Sequence, residues 1–324
     1  MNSSITYQDI SHYEYYHNNK DDIMSHESGS LKSILLALGA NFLIALSKFI
    51  AAFITGSGAM LAEAVHSSAD CGNQGLLLYG IKRTKKLPTP EHPLGYGMAV
   101  YFWSFIVAII LFSLGGLFSV YEGMTRIIRP EPLEDPAIAL VILGISIVLE
   151  SISLAGCLRE VNKIRGDKSL FNWFRTSRQS ELLVVFGEDT AALMGLSVAF
   201  ISIVLTMYTS DPFYDALGSV FIGIILIGVA VSVGNEVKNL LIGQSTSQET
   251  RNAIYEFLCS RDEINRVFNI ITLQMGPDIL VAVKAEMKEY KSCALQSEAI
   301  NKCESAMKKK FPNIKWSFFE PDIR

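Results

Sequence analysis

Charged residues are scarce in this 324-residue chain, where they make up 19% against about 25% in an average soluble domain. Neither sign dominates, because 28 Lys and Arg stand against 32 Asp and Glu, for a net charge of −4. This balance gives no basic surplus for a nucleic-acid backbone, so we expect no nucleic-acid partner. Cysteine is also rare, and the five cysteines show no paired spacing that would indicate a disulfide framework.

Hydrophobic residues, by contrast, make up half of the chain, and the mean hydropathy is +0.30. They are concentrated in six stretches separated by short breaks rich in Gly and Pro. Each stretch is long enough to cross a hydrocarbon core of about 30 Å, which takes about 20 helical residues. The predicted spans are Leu31–Ile54, Gly58–Ile81, Val100–Tyr121, Ala137–Leu158, Glu181–Met207 and Phe213–Leu241.

Positive charges accumulate on one side of the predicted membrane. They lie in the connections between spans two and three and between spans four and five, at Lys82, Arg83, Lys85, Lys86, Arg159, Lys163, Arg165, Lys168, Arg175 and Arg178. The other side has only Arg126 and Arg129. The positive-inside rule therefore predicts an integral, multi-pass membrane protein with both termini in the cytoplasm. If the protein is bacterial, this membrane is the inner or plasma membrane.

Three regions follow from the change in composition along the chain. Residues 1–30 are polar, show no secretory signal and are expected to form a flexible cytoplasmic tail. Residues 31–243 form the predicted six-helix transmembrane domain. Residues 244–324 read as α-β-β-α-β with a hairpin turn at Gly276, which predicts a small cytoplasmic ferredoxin-like α+β domain. Such a sheet commonly pairs with a second copy, so we expect a homodimer.

Ionisable side chains occur inside the second predicted span. His66 and Asp70 are four residues apart, so they share one helical face, where an imidazole nitrogen and a carboxylate oxygen can bind one divalent cation. Glu63 and Asn73 extend the polar edge of this helix and suit a proton-coupling role or a supporting contact. Ionisable groups at membrane depth are costly, so they indicate a functional site. The alternative is a buried, mutually satisfied His–Asp pair in a soluble helix.

Longer motifs connect this span to a known family. The segments SSADCGNQGLLLYGIKRTKK, HPLGYGMAVYFWSFIVAIILFSLGGLFSVYEG and GEDTAALMG resemble the cation diffusion facilitator family, in its zinc transporter nine-like branch with bacterial cation efflux relatives. The resemblance implies a dimeric antiporter that exchanges a cytoplasmic divalent cation for protons. It also implies a tetrahedral site with two ligands from span two and two from span five.

The resemblance assigns ligands residue by residue. His66 and Asp70 match the pair in span two, and Asp189 matches the second position of span five. The position four residues before Asp189 is Val185, where the family has His or Asp, so the usual fourth ligand is missing. Glu188 either turns into the site or faces a polar neighbouring helix. A site with three protein ligands and a water molecule is chemically adequate.

Glu150, near the middle of span four, is a further candidate inside the membrane. It suits proton transfer, a hydrogen bond to His66 or Asn73, or a distant ligand position, and a purely structural hydrogen bond remains an alternative. Among weaker candidates, Lys48 is expected to snorkel or to pair with an acid near the end of its helix. Asp215 is interpreted as a helix cap at the outer surface.

The function predicted from these residues is divalent cation efflux by metal/proton antiport, with Zn²⁺ as the first choice of transported substrate. Mn²⁺, Fe²⁺, Co²⁺ and Ni²⁺ suit the same mechanism. The expected partners are the cation, protons and membrane lipid, with no tightly bound cofactor. A metalloenzyme is not expected, because the chain has no His-Glu-x-x-His motif. A membrane scaffold that transports nothing is the alternative from a different functional class.

Overall fold

The structure is a computed structural model that describes residues 41–130, 132–133 and 135–323. The predicted tail 1–30 and the beginning of the first predicted span lie outside the described residues. The part that precedes the small sheet is helical. Its helices are α1 (Asn41–Thr55), α2 (Gly58–Thr84), α3 (Ala99–Ile128), α4 (Pro136–Ile164), α5 (Leu170–Thr176), α6 (Ser180–Thr209) and α7 (Phe213–Gly243).

Four of these helices, α3, α4, α6 and α7, are long and apolar enough to cross a membrane. They correspond to the third to sixth predicted spans, and α3 continues seven residues beyond the predicted end of its span. α2 has 27 residues but contains Glu63, Asp70, Lys82 and Arg83, which lower its hydropathy. α1 is described only from Asn41 onward and is therefore short. The prediction of six spans is thus confirmed for four helices.

The helices pack closely where they carry glycine. The middle of α3 is a π-helical segment, Leu111–Leu117, which contains Gly115 and Gly116. A Cβ atom added to Gly116 would overlap the side chain of Ile227 on α7, so the two helices touch through their backbones there. α4 instead exposes large apolar side chains along much of its length, as expected of a surface that faces lipid.

The C-terminal region, residues 244–324 and called the tail from here on, has the predicted order α-β-β-α-β. Its elements are α8 (Gln248–Cys259), β1 (Ile264–Met275), β2 (Asp278–Met287), α9 (Cys293–Lys310) and β3 (Ile314–Pro321). β1 and β2 form an antiparallel hairpin in which Met275 pairs with Asp278. β3 lies parallel to β2, because α9 carries the chain back across the sheet between them. The result is a mixed three-stranded sheet with its own apolar core.

The hairpin turn of the tail sits against the loop that leads into α3. The Tyr101 hydroxyl accepts a hydrogen bond from the Gly276 amide at 2.9 Å, and the Trp316 indole donates one to the Leu94 carbonyl at 3.3 Å. A Cβ atom added to Gly97 would overlap the Met275 carbonyl, so the two backbones are in direct contact. The Gln274 backbone amide of β1 donates a hydrogen bond to the Gln244 carbonyl, which lies in the connection between α7 and α8. The tail therefore packs directly against the end of the helical region.

A buried carboxylate stabilises the tail. Glu263 lies 2.9 Å from the Lys302 ammonium and 3.0 Å from the Arg261 guanidinium. Burial opposes the charged form of Glu263, but the hydrogen bonds from these two cations outweigh it and lower its pKa from 4.5 to about 2. Because the pKa is lower in the folded state, the carboxylate stabilises the fold fully above about pH 4.5 and loses this effect as the pH falls toward 2.

We expect Glu263→Gln to destabilise the tail by about 1–3 kcal/mol at pH 7, because two charge-assisted hydrogen bonds weaken. Hydrogen exchange of β1 and α9 in the detergent-solubilised chain measures the change. The difference from the wild type should shrink as the pH approaches 2, after correction for intrinsic exchange rates. Glu289→Gln, at an exposed position, is the matched control. Equal protection of the Glu263→Gln variant and the wild type at pH 7 would contradict the assignment.

Candidate metal centre

His66 and Asp70 point toward each other on α2. Their Nε2 and Oδ2 atoms lie 3.5 Å apart, and the His66 side chain is fully buried. Within the described part of the chain, neither nitrogen of His66 has a hydrogen-bond partner, and Asp70 Oδ1 lacks one too. Two ligands of a tetrahedral zinc ion, each about 2.0–2.2 Å from the metal, lie about 3.4 Å apart. The observed separation therefore fits two neighbouring ligands of one ion.

Asp70 also lines a cavity of about 70 Å³ between α1, α2, α4 and α6. This space is sufficient for an ion with a few water molecules, since one water needs about 10–15 Å³ by this measure. Four carboxylates line it, those of Asp70, Glu150, Glu188 and Asp189. The remaining lining residues are Asn41, Ile44, Ser67, Gln74, Leu149, Ser153, Val185 and Ala192. The wall of the cavity is thus strongly acidic and lies within the helical bundle.

The two carboxylates of α6 have different partners. The Asn73 amide donates a hydrogen bond to Glu188 Oε1 at 2.5 Å, so Glu188 faces α2 and is buried. Asp189 accepts a hydrogen bond from the Ser153 hydroxyl of α4 at 3.1 Å. Both residues line the cavity although they are adjacent in sequence, because the cavity extends across the faces of two neighbouring helices. Asn73 thus contacts Glu188, whereas a hydrogen bond to Asn73 was one of several roles that the sequence left open for Glu150.

The sequence candidates are gathered only in part. Asp70, Glu150, Glu188 and Asp189 share the cavity, whereas His66 contacts Asp70 from outside its lining. Across residues 41–130, 132–133 and 135–323, no three His, Cys, Asp or Glu side chains stand close enough to hold an ion together. The residues lie around one space, but they do not form a closed coordination shell.

Val185 lines the cavity with its apolar side chain, at the position where the family resemblance leads one to expect a ligand. Ser67 also lines the cavity and was not singled out from the sequence. Its position next to His66 gave no signal, because a small polar residue in a membrane helix is commonly a packing contact.

Lys48 is fully buried and does not snorkel. Its ammonium lies 3.3 Å from Glu63 Oε2 and donates a hydrogen bond to the Ser67 hydroxyl at 2.7 Å. Glu63 therefore pairs with α1, and its other oxygen, Oε1, has no hydrogen-bond partner among the described residues. The expected pairing with an acid is present, but it lies deep between the helices.

Asp215 is a helix cap, as interpreted from the sequence, and the helix that it caps is the neighbouring α2. Its two oxygens accept hydrogen bonds from the Ser57 hydroxyl at 2.6 Å and the Gly58 amide at 2.7 Å, at the beginning of α2. The Arg126 guanidinium of α3 donates hydrogen bonds to the Gly56 carbonyl, just before α2, and to the Glu122 carboxylate. These contacts tie α2, α3 and α7 together at one end of the bundle.

We expect Asp215→Ala to destabilise the protein by about 3 kcal/mol, because two buried donors lose a charged acceptor. Thermal unfolding of the detergent-solubilised chain should shift downward by several degrees. Asp211→Ala is the control, because Asp211 is exposed and caps only the nearby Phe213 amide. Equal shifts for the two variants would mean that the buried cap has no special weight.

Comparison with known proteins adds independent information. Residues 34–242 match the family model of the cation efflux transmembrane domain. The mouse protein named proton-coupled zinc antiporter SLC30A9, mitochondrial, is 32% identical over 250 residues, which are 76% of this chain and 44% of that protein. Metal tolerance protein C4 of Arabidopsis thaliana is 29% identical over 250 residues, 76% of this chain and 55% of its own length.

A bacterial relative matches over nearly its whole length. The cation-efflux pump FieF of Escherichia fergusonii is 22% identical over 281 residues, which cover 87% of this chain and 89% of that pump. The chain spans only about half the length of the two eukaryotic relatives. The family match covers well over half of the chain and includes α2, α4 and α6, which carry the cavity carboxylates. The chain therefore belongs to the cation diffusion facilitator family, in its zinc transporter nine-like branch.

Proposed function

We propose that this protein exports a divalent cation from the cytoplasm in exchange for protons, with Zn²⁺ as its main substrate. The observation that carries the proposal is the cavity between α1, α2, α4 and α6 that is lined by Asp70, Glu150, Glu188 and Asp189. Four carboxylates around one space between helices attract a dication strongly, since such a site is less exposed to water than the protein surface. The names of the relatives, a zinc antiporter and a cation-efflux pump, support the same activity.

We assign the ligands as His66, Asp70 and Asp189, with Glu188 in the site or next to it. Val185 offers no donor atom, so a water molecule or Glu188 completes the coordination. His66 binds the ion as a neutral imidazole, and its nitrogens lack other partners in the described chain. A small approach of α6 toward α2 closes the shell, because Asp189 and Asp70 already face the same cavity.

Proton coupling follows from competition for the same lone pairs. Protons that enter from the outer side displace the cation from its carboxylates and its imidazole, and the loaded carrier returns with them. We propose that Glu150 takes part in proton transfer, because it lines the cavity opposite α6. Asn73 orients Glu188 through their hydrogen bond, and Glu63 stands behind the site with Lys48.

The choice of ion rests on the ligand types and on the names of the relatives. One imidazole with two or three carboxylates suits Zn²⁺, and the missing donor at Val185 leaves room for a water molecule. Fe²⁺, Co²⁺, Ni²⁺ and Mn²⁺ accept similar ligands, with Mn²⁺ more tolerant of water and carboxylate. We place zinc first because the name of the antiporter relatives specifies it.

We further propose a six-span topology with both termini in the cytoplasm. α1 and α2 are the two spans that precede the four apolar helices. Residues 244–324 form the cytoplasmic domain, through which two chains pair as a homodimer. The charge bias of the connections supports this orientation. Residues 1–30 form the cytoplasmic N-terminal tail, and membrane lipid surrounds the bundle.

Proteoliposomes test the proposal directly. Purified protein is reconstituted in vesicles that contain a zinc-sensitive dye, and a pH gradient is imposed. Zinc should accumulate on the acidic side of the membrane, in exchange for protons that leave this side down their gradient. The flux should collapse when an ionophore dissipates the gradient. Parallel assays with Mn²⁺, Fe²⁺, Co²⁺ and Ni²⁺ rank the substrates. A scaffold would give the flux of protein-free vesicles for every ion, and that result would overturn the proposal.

A further inference from the structure

Lys48 is a buried cation beside the acidic cavity. Its side chain is fully enclosed, and the ammonium bonds Ser67, which itself lines the cavity. A charged lysine at this depth costs several kcal/mol unless it is paired, so its retention calls for a specific role. Its one carboxylate partner in the described chain is Glu63, at 3.3 Å.

Glu63 has the properties of a cation ligand that is not in use. It is fully buried, and its Oε1 atom lacks a hydrogen-bond partner among the residues that the structure describes. It precedes Asp70 by seven residues on α2, which is two turns or about 10 Å along the helix axis. Gly195 of α6 leaves the space that Oε1 occupies, since a Cβ atom there would overlap it. An oxygen without a partner in such a position would readily bind a cation.

We propose that Lys48 is a tethered cation that occupies Glu63 and thereby keeps this carboxylate out of the ligand set of the transported ion. The proposal rests on the proposed function and concerns how the same site sets its affinity. With Lys48 in place, Glu63 is neutralised locally, and the ion meets only the carboxylates of the cavity. A transporter must release its cargo, so a site that holds the ion less tightly releases it faster.

The two members of the pair have opposite effects on the cation. Without the Lys48 charge, Glu63 attracts the ion, so binding tightens and release slows. Without the Glu63 charge, the Lys48 ammonium repels the ion through Ser67, so binding weakens. At distances of this order in a protein interior, one unit charge changes the affinity for a dication by about tenfold or more. Removing both charges restores an affinity close to that of the wild type.

Calorimetric titration of the full chain in detergent with ZnCl₂ measures these effects. We expect Lys48→Gln to bind zinc about tenfold more tightly or at a second equivalent, and Glu63→Gln to bind it about tenfold more weakly. The Lys48→Gln/Glu63→Gln double variant should lie near the wild type. Lys308→Gln removes a cation from an exposed position on α9 and is the matched control, with unchanged affinity. In proteoliposomes, Lys48→Gln should show a lower apparent KM and a lower maximal flux.

A merely structural pair predicts another pattern. If Lys48→Gln and Glu63→Gln both weaken binding, or if neither changes it, the proposal is wrong. Should Lys48→Gln fail to fold, the comparison of Glu63→Gln with the double variant decides, because only a freed Lys48 charge is relieved by the second substitution. Titration of the wild type and of Asp70→Ala separates a failure of the proposed function from a failure of this inference. A wild type that binds no zinc overturns both. If zinc binds and the binding depends on Asp70, the Lys48 and Glu63 variants decide the inference.

Discussion

Replacing Asp70 with alanine is expected to reduce proton-driven zinc flux to the level of protein-free vesicles. Asp70 lines the cavity and also lies 3.5 Å from His66, so on the proposed assignment its loss removes a ligand and separates the imidazole from the carboxylates of α6. Without Asp70, the ion loses the carboxylate ligand that pairs with His66 on α2. Flux into dye-loaded proteoliposomes under an imposed pH gradient measures the change.

Two controls make this result specific to the site. Asp167→Asn removes an equal charge from an exposed position in the connection after α4 and should transport like the wild type. Size-exclusion chromatography should give the same elution volume for Asp70→Ala as for the wild type, because Asp70 lines a cavity between the helices and its side chain is largely buried. Full transport by a correctly folded Asp70→Ala variant would remove the basis of the assigned site.

Introducing a carboxylate at Val185 should have the opposite effect on binding. Val185 lines the cavity on α6, one turn before Asp189, so an aspartate there adds a donor on the same helical face. We expect Val185→Asp to bind zinc at least about tenfold more tightly and to release it more slowly, since a fourth protein ligand replaces water. Zinc titration and transport assays on the same preparations measure both changes.

Val185→Ala is the matched control for this substitution. It enlarges the cavity without adding a donor atom, so it should leave the zinc affinity within about twofold of the wild type. A Val185→Asp variant that binds zinc as weakly as Val185→Ala would show that position 185 does not reach the ion. In that case, the ligand from α6 would have to come from Glu188 or Asp189 alone.

Local patterns in the sequence predict the parts of the site that lie on one helix. The spacing of four residues brings His66 and Asp70 to one face of α2, and their atoms are 3.5 Å apart in the structure. Partners on different helices are harder to predict, because they depend on how each helix is rotated against its neighbours. The pairing of Lys48 with Glu63 and the bond of Asp215 to Gly58, 157 residues away, both belong to this class.

The tail shows the same division between local and distant contacts. Alternating apolar residues and the turn at Gly276 predict its hairpin, and the observed elements follow the expected order within a few residues. The bond between Tyr101 and Gly276 joins segments 175 residues apart, and no local pattern indicates it. The composition likewise indicates four apolar helices clearly, whereas α2 falls short because it contains Glu63, Asp70, Lys82 and Arg83.

The contact between the tail turn and the loop before α3 holds one end of the small domain, so that strand β1 can act as a lever arm about that end. The strand β1 has 12 residues and is therefore about 40 Å long, with its Met275 end fixed against Gly97. A tilt of about 5° at that pivot would displace the far end of the strand by about 3–4 Å. Small angular changes of the bundle are thus magnified at the tip of the sheet, where a distance probe would read them most easily.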